Sequence, residues 1–159
     1  MSGLITGVLW GGALCGTFDA IAASTSAAML GTSPVRMWKY VASGLLGQKA
    51  LQGSPRIALV GLLLHFLIAF IWATIFCLAA LFAPWVFRWP AVAGIIYGIA
   101  IYTIMNLVVL PLSAAPKRQV TKLGVIIQLI IHMLFVELPI TLSASWAMTN
   151  VPERTKVST

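Results

Sequence analysis

Charge is scarce in this chain: 8% of its 159 residues are Asp, Glu, Lys or Arg, and only three of those are acidic. Soluble domains carry about 25% charged residues. With 60% hydrophobic residues and a mean hydropathy of +1.01, the chain belongs in a bilayer rather than in water. Cysteine is nearly absent too. Cys15 and Cys77 both fall inside apolar stretches, away from oxidising solvent, which excludes a disulfide framework and leaves two small packing residues. No Gly-x-Ser-x-Gly, His-Glu-x-x-His or phosphate-loop motif occurs, so the chain is not expected to be an enzyme and no catalytic residues are assigned. Ser24, Thr25 and Ser26 are read as helix hydroxyls that bond back to the carbonyl one turn earlier. A basic leader region is missing and no small-x-small cleavage site follows the first apolar stretch, so that stretch is expected to be a retained helix.

What the chain does have is long apolar runs. Four of them, at about 4–30, 57–83, 91–112 and 123–148, can cross roughly 30 Å of hydrocarbon at about 1.5 Å per residue. Backbone amides in lipid need internal partners and period-two barrel patterning is absent, so these runs are expected to be helices. The expected fold class is therefore all-α, a single four-helix transmembrane domain over residues 1–150 with a polar tail at 151–159. Pro111 is placed to end or bend the third helix, and Glu137-Leu138-Pro139 reads as a proline kink beside an acid.

The chain also repeats itself. Gly7-Val-Leu-Trp-Gly11, with Asp19 eight residues on, returns 87 positions later as Gly94-Ile-Ile-Tyr-Gly98 with Asn106 eight residues on. Ser26-Ala27-Ala28 falls on Ser113-Ala114-Ala115, and Leu62-Leu-Leu-His65-Phe-Leu-Ile resembles Leu129-Ile-Ile-His132-Met-Leu-Phe, which makes the two histidines mates. Each unit, about 4–83 and about 91–148, reads as a helical hairpin. A hairpin holds an even number of spans, so the units are expected to insert as parallel repeats about an axis along the membrane normal. Asp19 precedes His65 by 46 residues and Asn106 precedes His132 by 26, which puts 20 extra residues in the first connection.

That extra segment opens with Ser33-Pro34, an N-cap followed by proline at the first helical position. A short amphipathic helix is expected at about 34–47, with Trp38, Val41 and Leu45 on one face and Arg36, Lys39 and Ser43 elsewhere, lying at the membrane interface. The net charge of +7 does not indicate nucleic acid, because the basic residues sit in membrane-flanking loops. Seven of them (Arg36, Lys39, Lys49, Arg56, Lys117, Arg118 and Lys122) share one side, against Arg88, Arg154 and Lys156 on the other. The positive-inside rule then places both termini in the periplasm and the 31–56 and 113–122 loops in the cytoplasm. Arg36, Lys39, Lys117 and Arg118 are the residues expected to meet lipid headgroups. Pro84-Trp-Val-Phe-Arg-Trp-Pro90 and Trp146 suit the opposite interface.

Helices in lipid associate through small residues that let backbones approach. Gly12, Gly16, Ala20, Ser24 and Ala28 recur every four residues on the first helix, near Gly7 and Gly11, and Gly94 and Gly98 continue into Tyr102 and Asn106 on the third. Gly61, His65, Ala69 and Ala73 line the second, and Gly124, Gln128 and His132 the fourth. Both histidines lie roughly 14 Å in from the basic flanks by helical rise, so Asp19, His65, Asn106 and His132 are expected to form one polar layer. On an α-helix Glu137 would point about 140° away from His132, toward a different neighbour.

Three roles compete for that layer. Asp19 to His65 and Asn106 to His132 could be interhelical hydrogen bonds that fix the bundle, at about 0.6–2 kcal/mol each. Asp19, His65, His132 and Glu137 could instead pass protons or ions, since histidine titrates near neutrality and intramembrane acids are functional by default. The third role is a histidine pair, His65 and His132, holding haem iron or a metal with Asp19 as a further ligand. Small-residue packing leaves little room for a macrocycle and no Cys-x-x-Cys-His motif is present, so no cofactor is expected and haem or metal stays the alternative. As for partners, the bilayer is expected, with a homo-oligomer or a larger membrane complex. In the latter the chain would be a non-catalytic accessory subunit docking through the glycine face of its first helix.

Several blocks carry a family resemblance: Gly-Thr-Phe-Asp19-Ala, Ala42-Ser-Gly-Leu-Leu-Gly47, Leu-His65-Phe-Leu-Ile-Ala-Phe70, Asn106-Leu-Val-Val-Leu-Pro-Leu-Ser-Ala-Ala-Pro116 and Ile-His132-Met. Over residues of about 5 to 145 the chain resembles uncharacterised small bacterial inner-membrane proteins of the YagU-like kind. The resemblance implies a four-helix inner-membrane protein and brings no functional residues with it. Glu137 departs from the pattern, where a small residue is expected.

Overall fold

The computed structural model describes residues 2–117 and 122–150. Arg118, assigned above to the headgroups, and the 151–159 tail lie outside the described residues. Five helices follow in order: α1 (Ser2–Met29), α2 (Pro34–Leu46), α3 (Ile57–Phe82), α4 (Pro90–Leu112) and α5 (Lys122–Asn150). Short 3-10 turns occupy Gln48–Gln52 and Pro84–Phe87, and there is no strand among the described residues. All but α2 are long and apolar enough to cross a membrane.

Helix α1 packs between α3 and α5, and α4 packs on α5. Glycine makes this possible. A Cβ on Gly7 would sit 3.3 Å from both the Ala144 Cα and the Cys77 Sγ, and one on Gly11 would sit 3.5 Å from the Ile140 Cα. Gly12 and Gly16 receive the rings of Phe70 and Phe66. The glycine face of α1 is therefore filled inside the bundle, which corrects the expectation that it docks a partner. Between α4 and α3 the link is aromatic: the Tyr97 hydroxyl donates to the Trp72 carbonyl at 2.8 Å, and its ring packs on Trp72 and Phe76. The core is small and tight, built on Ala69, Ala73, Cys77, Ile140 and Ala144, while Leu63, Leu81, Ile96 and Leu142 are exposed on the outer faces.

Two stretches depart from α geometry, Met105–Val109 in α4 and His132–Glu137 in α5, both π-helical. Each ends two residues before a proline, Pro111 or Pro139. Proline has no N–H to give, and its ring clashes with the carbonyl four residues back. A wider turn, closed from i to i+5, moves that carbonyl away, as in the Leu110 N–H bond to the Met105 carbonyl. Helix α4 thus runs through Pro111 to Leu112.

Helix α2 begins as expected, with the Ser33 hydroxyl accepting from the Arg36 N–H at 3.3 Å, and ends at Gly47, whose φ of +72° suits glycine. Its packing face differs from the expected one. Trp38, Ala42 and Ser43 are buried and Leu45 is exposed, because the helix lies on the notch at Gly61 of α3, where a Cβ would collide with the Trp38 carbonyl. The far side of α2 is clamped to the segment after α4: the Ala114 N–H donates to the Gly44 carbonyl at 2.9 Å and the Tyr40 hydroxyl to the Pro116 carbonyl at 3.2 Å. Arg36 is exposed and Lys39 half-buried.

Candidate functional site

The polar residues expected in one layer divide into two sets. Asp19 of α1 and His65 of α3 face each other, with Oδ2 3.8 Å from Nδ1. That separation is within ion-pair range and beyond hydrogen-bond reach. The other ring nitrogen, Nε2, lies 2.9 Å from the Gly16 carbonyl. A carbonyl only accepts, so Nε2 carries a hydrogen. Nδ1 is left as the nitrogen that faces the Asp19 carboxyl group. Trp38 of α2 packs edge-on over the ring, centroids 5.1 Å apart, and Phe66 at 5.5 Å. Exposure is low but not zero, 14% for His65 and 17% for Asp19.

Asn106 and His132 do not bond to one another. The Asn106 side-chain amide donates to the Tyr102 carbonyl at 2.8 Å, and His132 Nδ1 lies 2.9 Å from the Gln128 carbonyl. Both bonds run one turn back within their own helices, at the start of the two π turns, and Tyr102 and Gln128 serve through their backbones. The rings of Tyr102 and His132 meet edge-on at 5.5 Å. The two hydrogen bonds stay within their own helices, and it is the ring contact of Tyr102 with His132 that joins α4 to α5 here.

Glu137 is fully buried, 0% exposed, and neither carboxyl oxygen has a hydrogen-bond partner. It turns inward because its helix is π-wound there. Residues 132 and 137 stand about one turn apart rather than the 140° of an α-helix, which corrects the expected direction. Gly98 of α4 provides the space, since a Cβ there would lie 2.9 Å from the Glu137 Cγ and 3.1 Å from the Met133 Cα. Asp19 is within electrostatic reach of Glu137, and Asp19 Oδ1 is likewise buried without a partner.

Sequence reasoning missed Tyr97, Thr141 and Ser145. Tyr97 lies within electrostatic reach of Glu137, and its signal was its place inside the Gly94-to-Gly98 motif. Thr141 and Ser145 follow Glu137 at four-residue intervals. Thr141 is buried with its hydroxyl on the Glu137 backbone carbonyl at 3.0 Å, and the Ser145 hydroxyl is buried without a partner.

As a ligand pair the histidines are unequal. His65 has one nitrogen on Gly16 and the other facing Asp19, so coordination would cost it a contact, whereas His132 keeps Nε2 for a ligand. Among the described residues no three of His, Cys, Asp and Glu gather around one point. Compared with protein-family models, curated proteins and solved structures, the chain matches none.

Proposed function

We propose that this is a multi-pass protein of a bacterial inner membrane, of the YagU-like kind, that moves protons or an ion through its bundle by way of the Asp19 and His65 pair. The orientation follows the charge: Arg36, Lys39, Lys49, Arg56 and Lys117 gather at the α2 end, which we place in the cytoplasm with both termini periplasmic. The observation that carries the transport reading is the 2.9 Å contact of His65 Nε2 with the Gly16 carbonyl. It fixes the ring so that Nδ1 faces Asp19 inside the span, which sets an acid and an imidazole side by side where ionisable residues mark proton or ion paths. A purely packing role would rest on the interhelical bond between His65 and the Gly16 carbonyl, but it does not account for Asp19 Oδ1, which is buried without a partner. The reading includes neither enzyme chemistry nor a bound cofactor.

The test is proton flux in liposomes holding the purified chain, driven by a potassium diffusion potential. Asp19→Asn should abolish flux while the thermal midpoint moves only slightly, about 0.6–2 kcal/mol in stability. Equal flux in the variant and the native chain would overturn the reading.

A second reading, the accessory subunit, draws on an apolar groove of about 380 Å³ on the outer seam of α1 and α5, lined by Leu14, Phe18, Leu138 and Leu142. A partner's transmembrane helix would seat there, and Phe18→Ala should then cost co-purification without touching flux.

A further inference from the structure

We propose that Glu137 is a second proton-carrying site, that it exchanges its proton with the Asp19 and His65 pair, and that the moving species is the proton and not a metal cation. The inference rests on the transport reading above and names its species and its next station.

The argument begins with what surrounds the carboxyl group. Within its electrostatic reach are Cys15 and Asp19 of α1 and Tyr97 of α4, and Gly98 lies against its stem. On α3, Cys77 lies within electrostatic reach of Tyr97, and His65 faces Asp19. None of these places a hydrogen bond on the Glu137 carboxyl group. The Tyr97 hydroxyl is committed to Trp72, the Thr141 hydroxyl to the backbone, and His65 Nε2 to Gly16. The four spans contain no Lys or Arg apart from Lys122 at the first position of α5. An ionised carboxylate in this position would have neither counter-charge nor hydrogen bond, a state that costs several kcal/mol. Glu137 therefore needs a bound proton or a bound cation.

The ligand set decides between them. A hard cation takes about six or more oxygens. Here no cluster of three potential ligands exists among the described residues, and the stem of Glu137 lies close against Gly98. A proton needs only the carboxyl oxygen itself. Two acids within reach of each other and without a cation between them favour alternate occupation, so that releasing a proton from one is coupled to loading the other. The exchange balances: an O–H bond breaks at Glu137 and a new bond forms at Asp19 or at His65 Nδ1, with no other reactant.

The test uses the full chain in liposomes, with infrared spectroscopy beside the flux assay. A carboxylic acid C=O band that shifts in deuterated buffer should vanish in Glu137→Gln and move in Asp19→Asn. Glu137→Met, which replaces an unpartnered acid by an apolar chain of similar length, should fold at least as stably as the native chain and yet lose flux at least tenfold. Replacing sodium by choline should change nothing. Absence of the band, native flux in Glu137→Met, or flux that follows sodium would each overturn the inference. If Glu137→Met keeps flux while Asp19→Asn loses it, the transport reading survives without Glu137. No flux from the native chain would overturn both.

Discussion

Among the described glycines, Gly61 leaves a side chain the least room, and its substitution is expected to be severe. In Gly61→Ala the new methyl group would meet the Trp38 carbonyl and lie 3.1 Å from the Ala42 nitrogen. Both are main-chain atoms of α2, so no rotamer change relieves the clash. Van der Waals contact requires about 3.5–4.0 Å, and α2 must retreat from α3 by roughly 1 Å or more to reach it. Such overpacking costs about 1–3 kcal/mol. The alternative is to release the clamp, whose two hydrogen bonds at Gly44 and Tyr40 contribute about 1 kcal/mol each. Both routes lead to a destabilisation of about 1–3 kcal/mol, and both lift Trp38 from the His65 ring.

That movement can be read from a cysteine at position 43. Ser43 is 0% exposed and Ser43→Cys is nearly isosteric, so the single variant should resist a membrane-impermeant maleimide. The double variant with Gly61→Ala should label at least ten times faster and have a lower thermal midpoint. A double variant that stays protected, with its midpoint unmoved, would refute the claim that α2 is seated on the Gly61 notch.

Two further outcomes are expected. Tyr97→Phe keeps the aromatic packing and removes only the bond to the Trp72 carbonyl, so stability should fall by about 0.6–2 kcal/mol in a detergent melt, with α3 and α4 otherwise in place. Pro139→Ala restores an N–H that the Phe135 carbonyl can accept, so the π turn should relax to α geometry; the amide of residue 139 should then exchange slowly with deuterium, and the carboxylic acid infrared band of Glu137 should shift as its side chain rotates.

The four spans were legible because length and hydropathy are local properties, and lipid leaves the backbone no alternative to a helix. The face of α2 was not legible. Amphipathic spacing put Trp38, Val41 and Leu45 together, but the buried face is set by where α3 has its notch, and a single glycine offers no hydrophobic signal. Glu137 was misdirected for a related reason. Counting 100° per residue from His132 assumes an unbroken α-helix, and the proline two positions beyond Glu137 widens the turn. A reading that let Pro139 act upstream on the carbonyl of residue 135, and not only at its own position, could have found it.

The same prolines explain why matched positions behave differently in the two halves. Pro111 corresponds to Ser24 at the 87-residue offset, and Pro139 to Trp72 at the offset of 67 that relates the histidines. The first half therefore has no proline within α1 or α3, and both are regular helices. Their polar side chains are free to reach across, which brings Asp19 to His65. In α4 and α5 each proline forces a π turn, and the polar residue at its start, Asn106 or His132, is occupied with a carbonyl of its own helix. The π turn of α5 does more than divert His132, because it also swings Glu137 into the core. The prolines thus accompany polar side chains that bond within their own helices in α4 and α5 and an acid turned into the core, whereas the regular helices α1 and α3 bring Asp19 and His65 face to face.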